Sequence, residues 1–140
     1  MNRAARRLSY ALLCAAGLVM AATGLGTLAL GKPPMTHWVL MAHVALAPFF
    51  ALGLAAVALT WSGACRGGAD SPVSGPAQAM LWVVLLCGLV VMLSGVLPMT
   101  PLFGAHGQHV LYLTHRYSAI VLTAAVLLHL PLLARRRAIT

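Results

Sequence analysis

Residues 107–133 read GQHVLYLTHRYSAIVLTAAVLLHLPLL, with Arg116 the one formal charge among them. A helix needs about 20 predominantly apolar residues to cross a bilayer, so this stretch is long enough. It also holds two histidines well inside its apolar part, His115 and His129. Their spacing on a helix corresponds to about 21 Å of rise and roughly 40° of rotation. Both rings therefore leave the same side of one helix, one near each end of the membrane-buried length.

Working outward, three further stretches qualify as spans: 8–30, 37–61 and 77–99. Breaker-rich connectors separate them. Gly31-Lys32-Pro33-Pro34 closes the first span, Gly67 to Pro76 forms the second connector, and Pro98-Met99-Thr100-Pro101 with Gly104 forms the third. No internal repeat and no low-complexity tail stands out. The expectation is a single all-α domain over 1–140, an integral membrane four-helix up-and-down bundle.

Composition agrees. The chain has 140 residues, 61% hydrophobic and 7% charged, with a mean hydropathy of +0.94. A soluble domain of this size could not hide so much apolar surface, so lipid must cover it. The formal charge is +8 and the sole acidic residue is Asp70. The arginines sit at the ends of apolar runs, which is the pattern of membrane topology and not of a nucleic-acid-binding face. If the helices alternate, Arg3, Arg6, Arg7, Arg66, Arg135, Arg136 and Arg137 share one side, with Lys32 and Arg116 on or near the other. Both termini are then cytoplasmic. The segment from Met1 to Leu30 resembles a signal sequence, but its apolar run is longer than the usual core of one, so it reads as a retained helix.

Cys14, Cys65 and Cys87 have neither metal-type nor redox-type spacing, and nothing points to a disulfide framework. A thiol–disulfide oxidoreductase would want an outward-facing cysteine pair, which the chain lacks.

Alternation makes the second and fourth spans run in the same direction. His43 lies six residues after His37, and His115 eight after Gly107, which puts the two imidazoles within about 3 Å of each other in depth. An ionisable group inside a span is costly and usually faces the interior for a purpose. Neutral imidazole ligates haem iron well, and two such ligands give a six-coordinate centre suited to electron transfer. His43 and His115 are therefore candidate axial ligands, the alternative being histidines that hydrogen-bond neighbouring helices as structural glue. Arg116, next to His115, is placed to neutralise a haem propionate or simply to snorkel.

His115-Arg116, twelve intervening residues and then His129 resemble the last core helix of the cytochrome b561-like superfamily. That group includes the membrane cytochrome b subunits of respiratory hydrogenases and formate dehydrogenases. The resemblance covers the four-span plan and these few positions. It implies a four-helix core with two b haems, His115 and His129 serving one each and His43 completing the outer site. The chain departs from the pattern in one respect. Near the start of the first helix, where the family has a histidine, it reads Arg7-Leu8-Ser9-Tyr10, and the stretch Val57 to Thr60 offers no substitute partner for His129. One haem b is the expectation. A second at His129 remains open, as do a structural role for that residue and a place in a quinone pocket. His37-Trp38 looks like the absent dipeptide but lies on the second helix.

His106 and His109 would share a helix face if the fourth helix begins early enough. A metal site would want further ligands, and no carboxylate is near in sequence. Small residues, among them Gly17, Gly24, Gly88, Ser94 and Gly95, permit close backbone approach, and Pro48 is expected to kink the second helix.

The resemblance implies a non-catalytic electron-transfer subunit in the bacterial inner (cytoplasmic) membrane. It would link the quinone pool to an extracytoplasmic redox protein or larger respiratory complex. The rival reading is a non-redox four-span transporter or assembly subunit, with histidines that handle protons or metal. No acidic residue lies in any span, so carboxylate-based proton coupling is excluded and histidine-based coupling survives.

Overall fold

The computed structural model describes residues 3–31, 35–65 and 75–137. Lys32, Arg66, Asp70 and the second connector from Gly67 to Ser74 lie outside them, as does the part those residues play in the charge asymmetry. The described residues are all-helical. Four helices carry the fold: α1 (Arg3–Ala29), α2 (His37–Cys65), α3 (Gly75–Val96) and α4 (Ala105–Arg137). Each contains a segment long and apolar enough to cross a membrane: Arg7–Ala29, His37–Trp61, Gln78–Met99 and Ala105–His129. These agree with the expected spans to within a few residues. Side chains in the middle of the helices remain outward, with Leu18, Leu59, Leu86 and Leu127 60–77% exposed. Leucines at such positions have lipid as their natural surroundings.

The chain divides into two compact units, Met1–Pro72 and Val73–Thr140. In the first, α1 packs on α2. Gly31 has φ +64°, and the bonds Leu30 N–H to Gly26 O (3.0 Å) and Gly31 N–H to Leu28 O (3.1 Å) close the end of α1. Only a residue without Cβ takes that left-handed conformation at no steric cost. Contacts then run in antiparallel order. His43 of α2 meets Thr23 and Gly24, Phe50 meets Gly17, Gly53 meets Leu13, and Thr60 meets Ser9. Gly53 is the tightest point, since a Cβ there would lie 2.9 Å from the backbone N and Cα of Leu13. Pro48 lies inside α2, which is assigned as one helix from His37 to Cys65.

In the second unit α3 packs on α4. A 3₁₀ turn, Leu97–Met99, follows α3 with Pro98 in its first turn. Thr100 stops it, its N–H and hydroxyl both donating to Leu97 O at 3.0 and 2.7 Å. The helix α4 opens with Gln108 N–H on Gly104 O, early enough to include both His106 and His109.

The two units share one plan, although no repeat stands out in the sequence. Gly17-Leu18-Val19 followed by Thr23-Gly24 on α1 matches Gly88-Leu89-Val90 followed by Ser94-Gly95 on α3. His37 and His43 on α2 match His109 and His115 on α4, with identical spacing. Burial follows the same register. Phe50, Gly53 and Val57 are buried on α2, and Leu122, Ala125 and His129 on α4.

Candidate functional site

Hydroxyls on these helices satisfy themselves locally, as they must where water is scarce. Thr27 donates to Gly24 O, Thr114 to Val110 O, Ser118 to Thr114 O and Thr123 to Ala119 O, all within one turn. Thr23 and Ser94 do the same but also reach across to a histidine.

In the first unit Thr23 Oγ1 lies 2.8 Å from His43 Nδ1. That hydroxyl has one proton, and two carbonyl oxygens compete for it, Val19 O at 2.8 Å and Met20 O at 3.0 Å. Two arrangements satisfy the contact: Nδ1–H donating to a hydroxyl whose proton goes to a carbonyl, or the hydroxyl donating to an unprotonated Nδ1; a ring that gives Nε2 to a metal has the first. Gly24 lies under the ring, where an added Cβ would come 3.3 Å from Cε1 and 3.8 Å from Nδ1.

In the second unit His115 Nδ1 lies 2.9 Å from Val91 O, again an acceptor, so Nδ1 carries the proton. Ser94 Oγ lies 3.4 Å from the same nitrogen while donating to Val90 O at 2.6 Å. Gly95 supports the ring as Gly24 does, with an added Cβ 3.3 Å from both Cε1 and Nδ1. Both rings are half-buried.

A neutral imidazole with its proton on Nδ1 has its lone pair on Nε2, the atom that would bind iron. Haem fits the chemistry of this donor set, because each unit offers one imidazole oriented by a hydrogen bond at Nδ1. No group of three or more His, Cys, Asp or Glu able to hold a bare metal ion occurs among the described residues. His106 and His109 are both exposed on the first turns of α4 and lack a third ligand there.

His129 is 0% exposed. In the shared register its counterpart on α2 is Val57, also 0% exposed and without a ligating atom. Arg116 is half-buried, with its guanidinium carbon 5.9 Å from the Tyr117 ring centroid. Its Nε is buried and has no hydrogen-bond partner among the described residues. A buried guanidinium nitrogen of this kind suits an anionic partner. Cys14 and Cys87 are free thiols.

A shallow apolar groove of about 550 Å³ runs along α3 and α4, bordered by Leu86, Val90, Val110, Leu113, Tyr117 and Val121. None of the histidines lines it. Its openness and apolar walls suit lipid chains better than a redox centre, and the candidate site rests on the histidines instead.

Sequence reading singles out His43, His115, His129 and Arg116, but it misses Thr23 as a partner and treats Ser94 only as a small packing residue. The signal was a Ser/Thr-Gly dipeptide on the first helix of each pair, matched by two histidines six residues apart on the second. Comparison with known protein families, curated proteins and solved structures finds no match.

Proposed function

We propose that this chain is a haem-b membrane subunit that passes electrons between the quinone pool and an extracytoplasmic redox partner, His43 and His115 being the axial ligands. The observation that carries the reading is the Nδ1 hydrogen bond made by each imidazole, 2.8 Å to Thr23 and 2.9 Å to Val91 O. Two histidines at equivalent positions of two like hairpins, each hydrogen-bonded at Nδ1, suit a pair of like ligands.

Bound haem would supply reversible one-electron chemistry at iron. The chain's own share is to keep the two nitrogens aimed, to surround them with apolar side chains that exclude water, and to offer Arg116 to a propionate. As an electron-transfer subunit it needs no nucleophile or general base. One haem is expected, because Val57 stands where a partner to His129 is needed. The up-and-down arrangement, the cytoplasmic termini and the bacterial inner membrane belong to the same proposal and rest on arginine placement.

Absorbance spectroscopy of the protein purified in mild detergent tests this directly. The expected result is a reducible low-spin b-type spectrum, with about one haem per chain, that is largely lost in His43→Ala and in His115→Ala. Colourless protein from haem-replete cells would instead favour the transporter or assembly-subunit reading.

A further inference from the structure

We infer that the N-terminal end of α1 binds the headgroup of an anionic phospholipid, with Arg3, Arg6 and Arg7 as its cationic contacts. The site lies within the first unit and stands apart from the haem reading.

α1 begins at Arg3, so all three arginines belong to its first turns. Helical geometry places positions 3, 6 and 7 within an arc of about 100° and a rise of about 6 Å. Guanidinium groups on one such arc can close on a single phosphate, each offering paired donors. The helix reinforces them, because its N-terminal end is the positive pole of the macrodipole, and no acidic residue lies in its first turn. Asp70 is the only acidic side chain of the protein, and a single carboxylate cannot neutralise three guanidinium groups.

The last helix supplies a natural control. Arg135, Arg136 and Arg137 carry the same charge at the C-terminal end of α4. Being consecutive, they spread over about 200° of the helix circumference. They also stand at the negative pole of their helix dipole. Charge is equal in the two triplets, whereas convergence and dipole both favour α1.

The surface below the arginines selects a lipid over a free anion. Leu8, Leu12, Ala15 and Val19 recur at helical spacing and are all exposed, Leu8 at 73%. This apolar stripe starts beside Arg7, itself exposed, and follows the membrane-spanning part of α1, Arg7–Ala29. On the side facing α2, Tyr10 and Trp61 lie tilted against each other with ring centroids 6.1 Å apart. Aromatic side chains of this kind collect at headgroup level. Trp61 Nε1 is buried and has no hydrogen-bond partner among the described residues, so it is a donor that a lipid ester oxygen can satisfy. A molecule with an anionic head and acyl chains matches the arginines, the stripe and the indole together. A phosphate ion matches only the first.

The test titrates the full chain in mild detergent with short-chain phosphatidylglycerol, short-chain phosphatidylcholine or inorganic phosphate. The thermal-unfolding midpoint is the readout, since a ligand of the folded state raises it. Phosphatidylglycerol should raise the midpoint, and the other two should do little at equal concentration. Each arginine near an anionic headgroup contributes about fivefold in affinity. Replacing Arg3, Arg6 and Arg7 together by Gln should therefore weaken apparent phosphatidylglycerol affinity about a hundredfold. The same change at Arg135, Arg136 and Arg137 should cost less than about tenfold. Arg7→Gln alone should cost about fivefold, and Arg7→Lys should recover most of it.

Equal losses in the two triple variants would overturn the proposal, because they would mean diffuse charge and no site. Phosphatidylcholine or inorganic phosphate matching phosphatidylglycerol would overturn it too. Arginines also direct membrane insertion, so the triple variant at α1 can fail to fold. Arg7→Gln then decides, and wild-type affinity in that protein would be equally fatal.

Discussion

The α1–α2 and α3–α4 hairpins are alike at the histidine and differ at the far end. Near the turn, each presents an imidazole over a glycine beside a hydroxyl, Thr23-Gly24 under His43 and Ser94-Gly95 near His115. Two turns further the register still holds in Phe50 and Leu122, both buried. Beyond that the hairpins diverge. The second buries His129 where the first buries Val57. The first instead joins its helices with Ser9 and Thr60 at 3.2 Å and sets the Tyr10 ring against Trp61 in a tilted arrangement, with centroids 6.1 Å apart. The like ends carry the proposed ligands, and the unlike ends account for expecting one haem and not two.

The largest effect should come from the helix crossing. Gly53 and Ala125 occupy matching buried positions, and in the first hairpin the backbone comes so close that a Cβ would sit 2.9 Å from Leu13 N and Cα, whereas the second already carries a Cβ there. Backbone cannot rotate aside as a side chain can. Gly53→Ala should therefore cost about 1–3 kcal/mol or somewhat more, read as a lower unfolding midpoint in detergent. If the two hairpins pack equally tightly, Ala125→Leu would have to be as damaging as Gly53→Leu. We expect the Gly53 variant to be clearly worse.

Next come the glycines beneath the rings. An alanine at 95 would press on Cε1 and Nδ1 of His115, both at 3.3 Å, whereas one at 24 would press closely only on Cε1 of His43. Each imidazole must shift by a few tenths of an ångström, and the Nδ1–H bond beside it lengthens. Gly95→Ala should lower haem occupancy more than Gly24→Ala. Equal occupancy in both variants would mean that the glycines serve helix contact alone.

Much of the fold was legible because it depends on length and apolarity, which a linear reading measures well. Helix ends were less so. The chain enters α1 at Arg3 and α4 at Ala105, earlier than expected from the apolar runs at Leu8 and Gly107. Arginine and alanine are good helix formers and extend a helix beyond its lipid-facing part. The duplication was hidden by its sparseness. Beyond common apolar residues, the halves share little more than glycines, histidines and a Thr/Ser exchange. The role of Thr23 was hidden for a different reason. A hydroxyl in an apolar helix usually bonds its own preceding turn, as Thr27 and Thr123 do. Nothing in the sequence marks which one also reaches a neighbour.

At the unlike ends the expected effects are smaller. His129→Leu replaces a fully buried imidazole with an apolar side chain of similar size. With Val57 as its counterpart, the haem-to-protein ratio should stay near one, measured by pyridine haemochrome against protein mass. A fall from two to one would transfer His129 to the ligand set and make the hairpins more alike than argued above.

The smallest effect should come from the Ser9–Thr60 bond. Thr60 also donates to Ala56 O at 2.7 Å, and either hydroxyl can donate in the contact across the helices. Ser9→Ala removes one side of that contact and leaves Thr60 satisfied within its own helix. Polar contacts between membrane helices contribute on average about 0.6 kcal/mol, because the separated helices find other partners. Thr60→Val removes the other side of the contact together with the bond to Ala56 O, so it should cost slightly more. In a double-mutant cycle in detergent the coupling should stay under about 2 kcal/mol, with the b-type spectrum unchanged. A change in the spectrum would mean that the two ends of the first hairpin are mechanically joined, and that the similarity at the histidine depends on the difference further along.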